Sequence, residues 1–444
     1  MQTYGTLSLF ANNEQLIPQF FFNTDLGKLF QAIPFDELAS HIRPPQGERT
    51  GLGRKNLLTV KGGIALMVLK HYLCLSDEML IDRLNTDWSM QLFCGIQLGT
   101  KRIGNKNLVS QWRSYLSKHL DIRQLQHVCA AQWKPYMEET TVGMSDATAY
   151  ESYIRHPNDV VMLWQSCEFV YSHLSSHCKK NKIRKPRIKF AGKQEKVLSY
   201  QRQRKKSRRR AKRMRHSLTK FLHRLLHRFD ELHADVCLPK EKQRLHTIRK
   251  LFAQQYKRMK NGEEKIEHRI VSLHKPYLRP IVRGKEVKSV EFGAKVNLLQ
   301  VDGINFIEHL SFEAFNEGIH LRSSIRLHRE YFGACYQFGA DKIYATNSNR
   351  KYCTKQNIAT NFIPKGKPGK HKEQAQQLRK ELGKQRATVL EGSFGNEKNH
   401  YLLHKVKARN QLNEVGWIFF GIFTCNAVQI ARRMQSLKII KHAA

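Results

Sequence analysis

Carboxylates are scarce in this chain of 444 residues: 37 Asp+Glu stand against 77 Lys+Arg, giving a formal net charge of +40. Such an imbalance excludes a neutral or acidic surface and points to a polyanionic partner. Zinc-type spacing is also missing. The nine cysteines include no CxxC pair and no Cys/His cradle, so no zinc module is expected, and Cys74, Cys129 and Cys237 read as reduced core thiols of a cytosolic protein. The opening MQTYGTLSLFANNEQ has no basic n-region and no sustained apolar run, so no secretory leader is expected. A membrane-length run is absent as well. Residues 415–430 (VGWIFFGIFTCNAVQI) carry no charge but number sixteen and contain Asn426 and Gln429. A span needs about 20 apolar residues, so a fully buried core helix is expected and the partner is nucleic acid, not membrane.

The positive charge is concentrated. Residues 179–260 hold 30 Lys+Arg and 5 Asp+Glu, a net +25 in 82 residues. This section reads as a separate functional unit inserted into the rest. Its densest part, residues 202–215, comprises Arg202, Arg204, Lys205, Lys206, Arg208, Arg209, Arg210, Lys212, Arg213 and Arg215. A charge run is most often a solvated face, but cations crowded this tightly repel one another and call for a counter-polyanion, so these ten are the candidate nucleic-acid-binding residues. Leu218, Phe221, Leu222, Leu225, Leu226, Phe229 and Leu232 then recur at three- and four-residue steps, and Leu245, Ile248, Phe252, Tyr256 and Met259 resume the period after Pro239. That spacing predicts a helical hairpin with a basic entry arm.

The first 130 residues read as short amphipathic helices, compatible with a plain helical bundle or a helix-turn-helix-like DNA reader. Toward the C-terminal half the pattern changes. VEFGAKVNLLQV (290–301) and INFIEHL (304–310) predict strands around an Asp302-Gly303 hairpin turn. A helix over 320–331 and a strand over 334–340 follow, and an earlier strand is predicted over 140–145. The fold class expected is an α/β mixed sheet with flanking helices, an N-terminal helical domain (1–135), a catalytic domain (136–440) and a basic helical insertion (175–285).

Against this background three acids are candidates for chemistry: Asp146 and Asp341, each expected at a strand end, and Glu391, expected on a helix. Two-metal phosphoryl transfer needs carboxylates converging from different elements, because hard divalent cations take oxygen ligands. Taken singly, an Asp at a strand end is more often a turn former or helix cap. Asp302 competes for the role, but its hairpin position directs it to the opposite end of the sheet if its strand runs antiparallel to the first. Glu391, Phe394, Gly395 and Lys398 share one helical face, with Arg386, Lys405 and Lys407 nearby in sequence.

Together these motifs resemble the DDE transposases of bacterial insertion sequences, whose catalytic domain is RNase H-like. DATAYESYIRHPNDVVML is similar to their first-acid block, ADKIYATNSNRKYC to the second, and EGSFGNEKNHYLLHKVKAR to the third. LKHYLCLSDEMLIDRLNTDWSMQLFCGI resembles the helical region that precedes the catalytic domain. The resemblance implies an RNase H-like mixed sheet and a metal-dependent enzyme that cleaves DNA at insertion-sequence ends and joins the freed 3′-OH to target DNA. It implies Asp146, Asp341 and Glu391 as ligands of two Mg²⁺ (or Mn²⁺) ions, and Lys398 as a catalytic cation. Arg386 and Lys405 join the DNA-contacting residues. The implied partners are double-stranded DNA (terminal inverted repeats and target) and a second copy of the chain on paired ends, in the bacterial cytoplasm at the nucleoid. Other readings of the same residues are a non-catalytic nucleic-acid-binding derivative and a metal-dependent nuclease without strand transfer. One departure stands out: many relatives carry a Tyr and an Arg at fixed short spacing before the Glu. Here Arg386 precedes Glu391 by five positions and Gly383 stands where the Tyr would be.

Overall fold

The computed structural model describes residues 16–45, 56–262, 266–282, 290–366 and 372–443, the first and last few of these by backbone alone. The chain is mixed α/β and divides into two compact units: residues 1–153 with 294–444, and residues 154–293. The helical N-terminal residues therefore belong to the same unit as the C-terminal half, and the inserted unit runs from 154 rather than 175.

In the first unit the sheet is built from β1 (Val142–Glu151), the later part of β3 (Val290–Val301), β4 (Ile304–Ser311), β5 (Gln337–Ala340) and β6 (Ala359–Thr360). The strand β2 (Pro280–Val282) pairs with the first residues of β3 inside the second unit. The order across the first unit is β4-β3-β1-β5-β6. β3 and β4 form the expected hairpin, and Asp302 and Gly303 turn it at φ 46° and 78°. Positive φ at both turn positions gives the twist that matches right-handed strands, which is why Asp-Gly suits this place. β1, β5 and β6 are parallel to one another.

β1 is longer than its sequence signal. It continues through Asp146 to Glu151, so Asp146 lies within the strand rather than at its end, and β5 begins three residues later than expected. The alternation of small and polar residues in DATAYE is what hid the strand's second half.

The outer edge of β4 would leave backbone groups unpaired. Two amide side chains close it. Gln126, on the helix Ile122–Trp133, exchanges two bonds with the Ile307 backbone at 3.0 and 2.7 Å. Asn426, on the helix Gln411–Ala443, does the same at Asn305 at 3.1 and 2.7 Å. That helix contains the uncharged segment 415–430, and 83% of its most apolar window is buried within the protein. Trp417, Ile418, Phe419, Phe420, Ile422 and Phe423 are all buried, each contributing roughly 1.5–3 kcal/mol. Gly421 lets it approach closely, since a Cβ there would lie 2.6 Å from Leu403 Cδ2. It is the core helix of this unit.

The second unit packs the helices Asp159–Lys180, Phe190–Arg202, Arg208–Glu231 and Pro239–Asn261 around one apolar core. The leucine/phenylalanine stripe of the third faces this core as expected. Pro239 opens the fourth helix at its first turn, where a missing N–H costs nothing. The basic entry arm is not a separate arm. Arg202 ends one helix, Arg204, Lys205 and Lys206 bridge a short connection, and Ser207 caps the next helix, whose first residues are Arg208, Arg209 and Arg210. Among the cysteines, Cys129 is buried, whereas Cys74 and Cys237 are exposed and are not core thiols.

Candidate active site

The three acids expected to converge do so. β1 and β5 are adjacent and parallel, and their register pairs Ser145 with Ala340. Asp146 and Asp341 are each the next residue, so they stand level on neighbouring strands about 5 Å apart. Asp341 caps a short 3₁₀ turn, accepting from Lys342 N at 2.7 Å, and Asp146 accepts from its neighbour Ala147 N at 2.8 Å. Glu391 opens the helix Glu391–His400.

Arg386 sits among all three. Its Nη1 lies 2.9 Å from Asp146 Oδ2 and 3.1 Å from Glu391 Oε1, and its Nη2 lies 4.0 Å from Asp341 Oδ1. The backbone explains how an arginine five residues before the glutamate can share its side of the helix. Residues Arg386–Leu390 form a π-helical turn between the helices Lys372–Gln385 and Glu391–His400. In an α-helix, positions five apart diverge by about 140°. A π turn bonds i to i+5 and brings such positions together; turns of this kind recur at functional sites. The extra residue between Arg and Glu is thus absorbed by one widened turn. Arg386, a candidate DNA contact in the sequence, pairs with the acids in this structure.

Asp146 is the most enclosed of the three, with a side chain 14% exposed against 45% for Asp341 and 52% for Glu391. Burial raises its carboxyl to about 6; the Ala147 N–H and Arg386 oppose the rise, while Glu317 and Asp341 add to it. Three carboxylates around one guanidinium leave two negative charges uncompensated. The donor set is all oxygen, and the focus it defines already holds a cationic group. Among the described residues no group of three or more His, Cys, Asp or Glu stands at metal-ligating spacing. The donors suit hard divalent cations in type, and two of them are exposed enough to rearrange.

Lys398 extends the site along β1. Its Nζ donates to Thr148 Oγ1 at 2.8 Å and lies over the Tyr150 ring. Asp146, Thr148 and Tyr150 occupy alternate positions of one strand and so share a face. Beneath, Glu397 is fully enclosed: Tyr150 OH donates to one carboxylate oxygen, and Asn305 Nδ2 donates to the other at 2.6 Å. Asn305 Nδ2 also donates to Ser393 Oγ at 2.8 Å. This network ties the Glu391-bearing helix to β1 and β4. Burial pushes the Glu397 carboxyl up to about 7.

Other sequence candidates fall elsewhere. Asp302 accepts from Glu138 N at 2.9 Å and from Arg433 Nη1 at 2.6 Å. Ser145 meets Asn297, so residues 138 and 145 of the first strand's run match 302 and 297 in reverse order. β3 is therefore antiparallel to β1, and Asp302 is remote from Asp146 as anticipated. Lys405 pairs with Glu151. Nine of the ten cations in residues 202–215 are exposed, and Arg215 alone is half-buried. Sequence reasoning missed Glu317, which pairs with Lys295 at 2.7 Å, and Glu397. Glu317 follows Asn316 at an ordinary-looking turn, and Glu397 lies in a helix whose composition gives no sign of burial. Comparison with protein-family models, curated proteins and solved structures returns no match for this chain.

Proposed function

We propose that this protein is a DNA transposase of the DDE type, cleaving DNA at insertion-sequence ends and transferring the freed 3′-OH to target DNA. The observation that carries this reading is the meeting of Asp146, Asp341 and Glu391 at one guanidinium from three separated stretches of sequence. An antiparallel hairpin beside β1, parallel strands on its other side, and acids on β1, after β5 and on a late helix together support an RNase H-like catalytic domain.

Asp146, Asp341 and Glu391 would hold two Mg²⁺ or Mn²⁺ ions, which supply Lewis-acid activation of the attacking water or 3′-OH and stabilisation of the leaving oxygen. Arg386 holds the acids together and offsets their repulsion until cations or substrate arrive. Lys398, anchored by Thr148 on the same strand face as Asp146, meets a phosphate beside the scissile bond. The Glu397–Tyr150–Asn305 network fixes the helix that carries both Glu391 and Lys398.

The basic residues grip duplex DNA through its phosphates, which carries register and affinity but little sequence information. Arg208, Arg209 and Arg210 occupy the first turn of a helix, where the macrodipole disfavours cations by about 0.3–1 kcal/mol each. A placement that works against the helix favours a ligand-binding role over a solvated face. The substrate ends are paired by two copies of the chain.

The test incubates the protein with a plasmid carrying the element's ends, a target plasmid and Mg²⁺. Cleaved and joined products are expected. Cleavage without joining indicates a nuclease, and DNA binding with neither product a non-catalytic derivative.

A further inference from the structure

Within the second unit, the helices Arg208–Glu231 and Pro239–Asn261 enclose a cavity of about 120 Å³, lined by Lys212, Arg215, His216, Gln255 and Arg258. We propose that this cavity seats one phosphate of a DNA backbone, a built phosphodiester site distinct from the exposed cations around it. The inference deepens the DNA-binding part of the function above and does not depend on catalysis.

Two independent observations carry it. The first is a charge imbalance. Asp159, only 9% exposed, is met by Arg258 Nη1 and Arg269 Nη2, each at 2.9 Å, and by Arg215 Nη1 at 3.7 Å. One carboxylate thus answers three guanidiniums, and Lys212 adds a further cation at the rim. No acidic side chain lines the cavity among the described residues. The second is an unmet donor. Gln255 is 3% exposed, and its Nε2 has no hydrogen-bond partner. A buried amide N–H left unpaired costs about 1–3 kcal/mol. An oxyanion in the cavity would accept from it while neutralising the surplus guanidinium charge. The crowding also acts on its members: burial, then Arg258, lower the Arg215 pKa, and burial, Lys212 and Arg215 lower that of His216. An anion relieves both.

The experiment measures full-length protein binding to a duplex of unrelated sequence in EDTA, by fluorescence anisotropy between about 50 and 200 mM salt. Gln255→Leu removes a donor and no charge. Affinity is expected to fall about tenfold with the salt slope unchanged. Lys212→Gln is expected to lower the slope by about one as well as the affinity. Gln255→Glu places a carboxylate among the guanidiniums, which favours folding, and should weaken binding at least as much as Gln255→Leu. Inorganic phosphate is titrated in parallel against thermal melting of each protein. If both Gln255 variants fold and keep duplex affinity within twofold of wild type, the proposal fails. That holds whether or not the cavity then takes free phosphate. Binding is read in EDTA, where metal-dependent cleavage does not occur, and cleavage is read separately with Mg²⁺, so the two readings fail separately.

Discussion

The two units hold ionic centres of opposite construction. In the first, a single guanidinium from Arg386 is surrounded by Asp146, Asp341 and Glu391. In the second, a single carboxylate from Asp159 is surrounded by Arg215, Arg258 and Arg269. Each centre satisfies part of its own charge and leaves a surplus, negative in one and positive in the other. A fold optimised only for stability would match the charges, because unmatched buried charge is expensive. In the functions proposed above, the surplus is what each centre offers its ligand: divalent cations in one case, a phosphate in the other. The same mutation type should thus have opposite ligand rescue in the two places.

The largest expected effect tests the acidic centre. Asp146→Asn should lower strand cleavage on the order of 10³-fold while leaving duplex affinity intact, measured by gel assay and anisotropy on one preparation. Retained cleavage would remove the acidic centre from the chemistry.

Next comes the basic centre. Asp159→Asn leaves three guanidiniums facing one another in a nearly enclosed site and should cost about 3 kcal/mol of stability by chemical denaturation. Phosphate should restore more of this loss than it adds to the wild type. Equal gains in both proteins would break the opposition drawn above.

Arg386→Gln sharpens the comparison from the other side. Removing the cation leaves three repelling carboxylates, two of them about half exposed, and solvent screening limits the loss to about 1–2 kcal/mol. Mg²⁺ or Mn²⁺, rather than phosphate, should recover it in a thermal melt.

The smallest effect at neutral pH belongs to Glu397. Its carboxyl is raised to about 7 in the folded protein, so it folds best when protonated. The stability it contributes is fully present below its ordinary value near 4.5 and is lost as pH rises toward 7. Glu397→Gln should flatten the stability–pH profile across that window. An unchanged profile would mean that the carboxylate does not titrate there.

Much of the layout was legible in the sequence. The Asp302-Gly303 turn, the apolar stripe at 218–232 and the break at Pro239 follow from local preferences, and local preferences survive into the fold. Three candidate acids could be picked out because a carboxylate is conspicuous in so basic a chain. What could not be read was set by distant contacts. The extent of β1 depends on neighbouring strands that fill in a weak local signal. The level placement of Asp146 with Asp341 depends on a parallel register that no local pattern encodes. The place of Arg386 among the acids could not be read, because nothing in RATVL announces the π turn that carries it there. Glu397 and Gln255 sit in ordinary polar helical sequence, and only packing from other elements reveals how deeply they are enclosed.

The widened turn at Arg386–Leu390 makes chain length a sensitive quantity in this stretch, even at positions where residue identity is not. Val389 is 43% exposed and should accept almost any replacement. Removing a single residue there would let the rod wind as one regular helix. Either the arginine or the glutamate would then rotate off the sheet. A scan of substitutions would pass over the exposed Ala387, Thr388 and Val389 as tolerant, whereas a scan of single-residue deletions would find them intolerant.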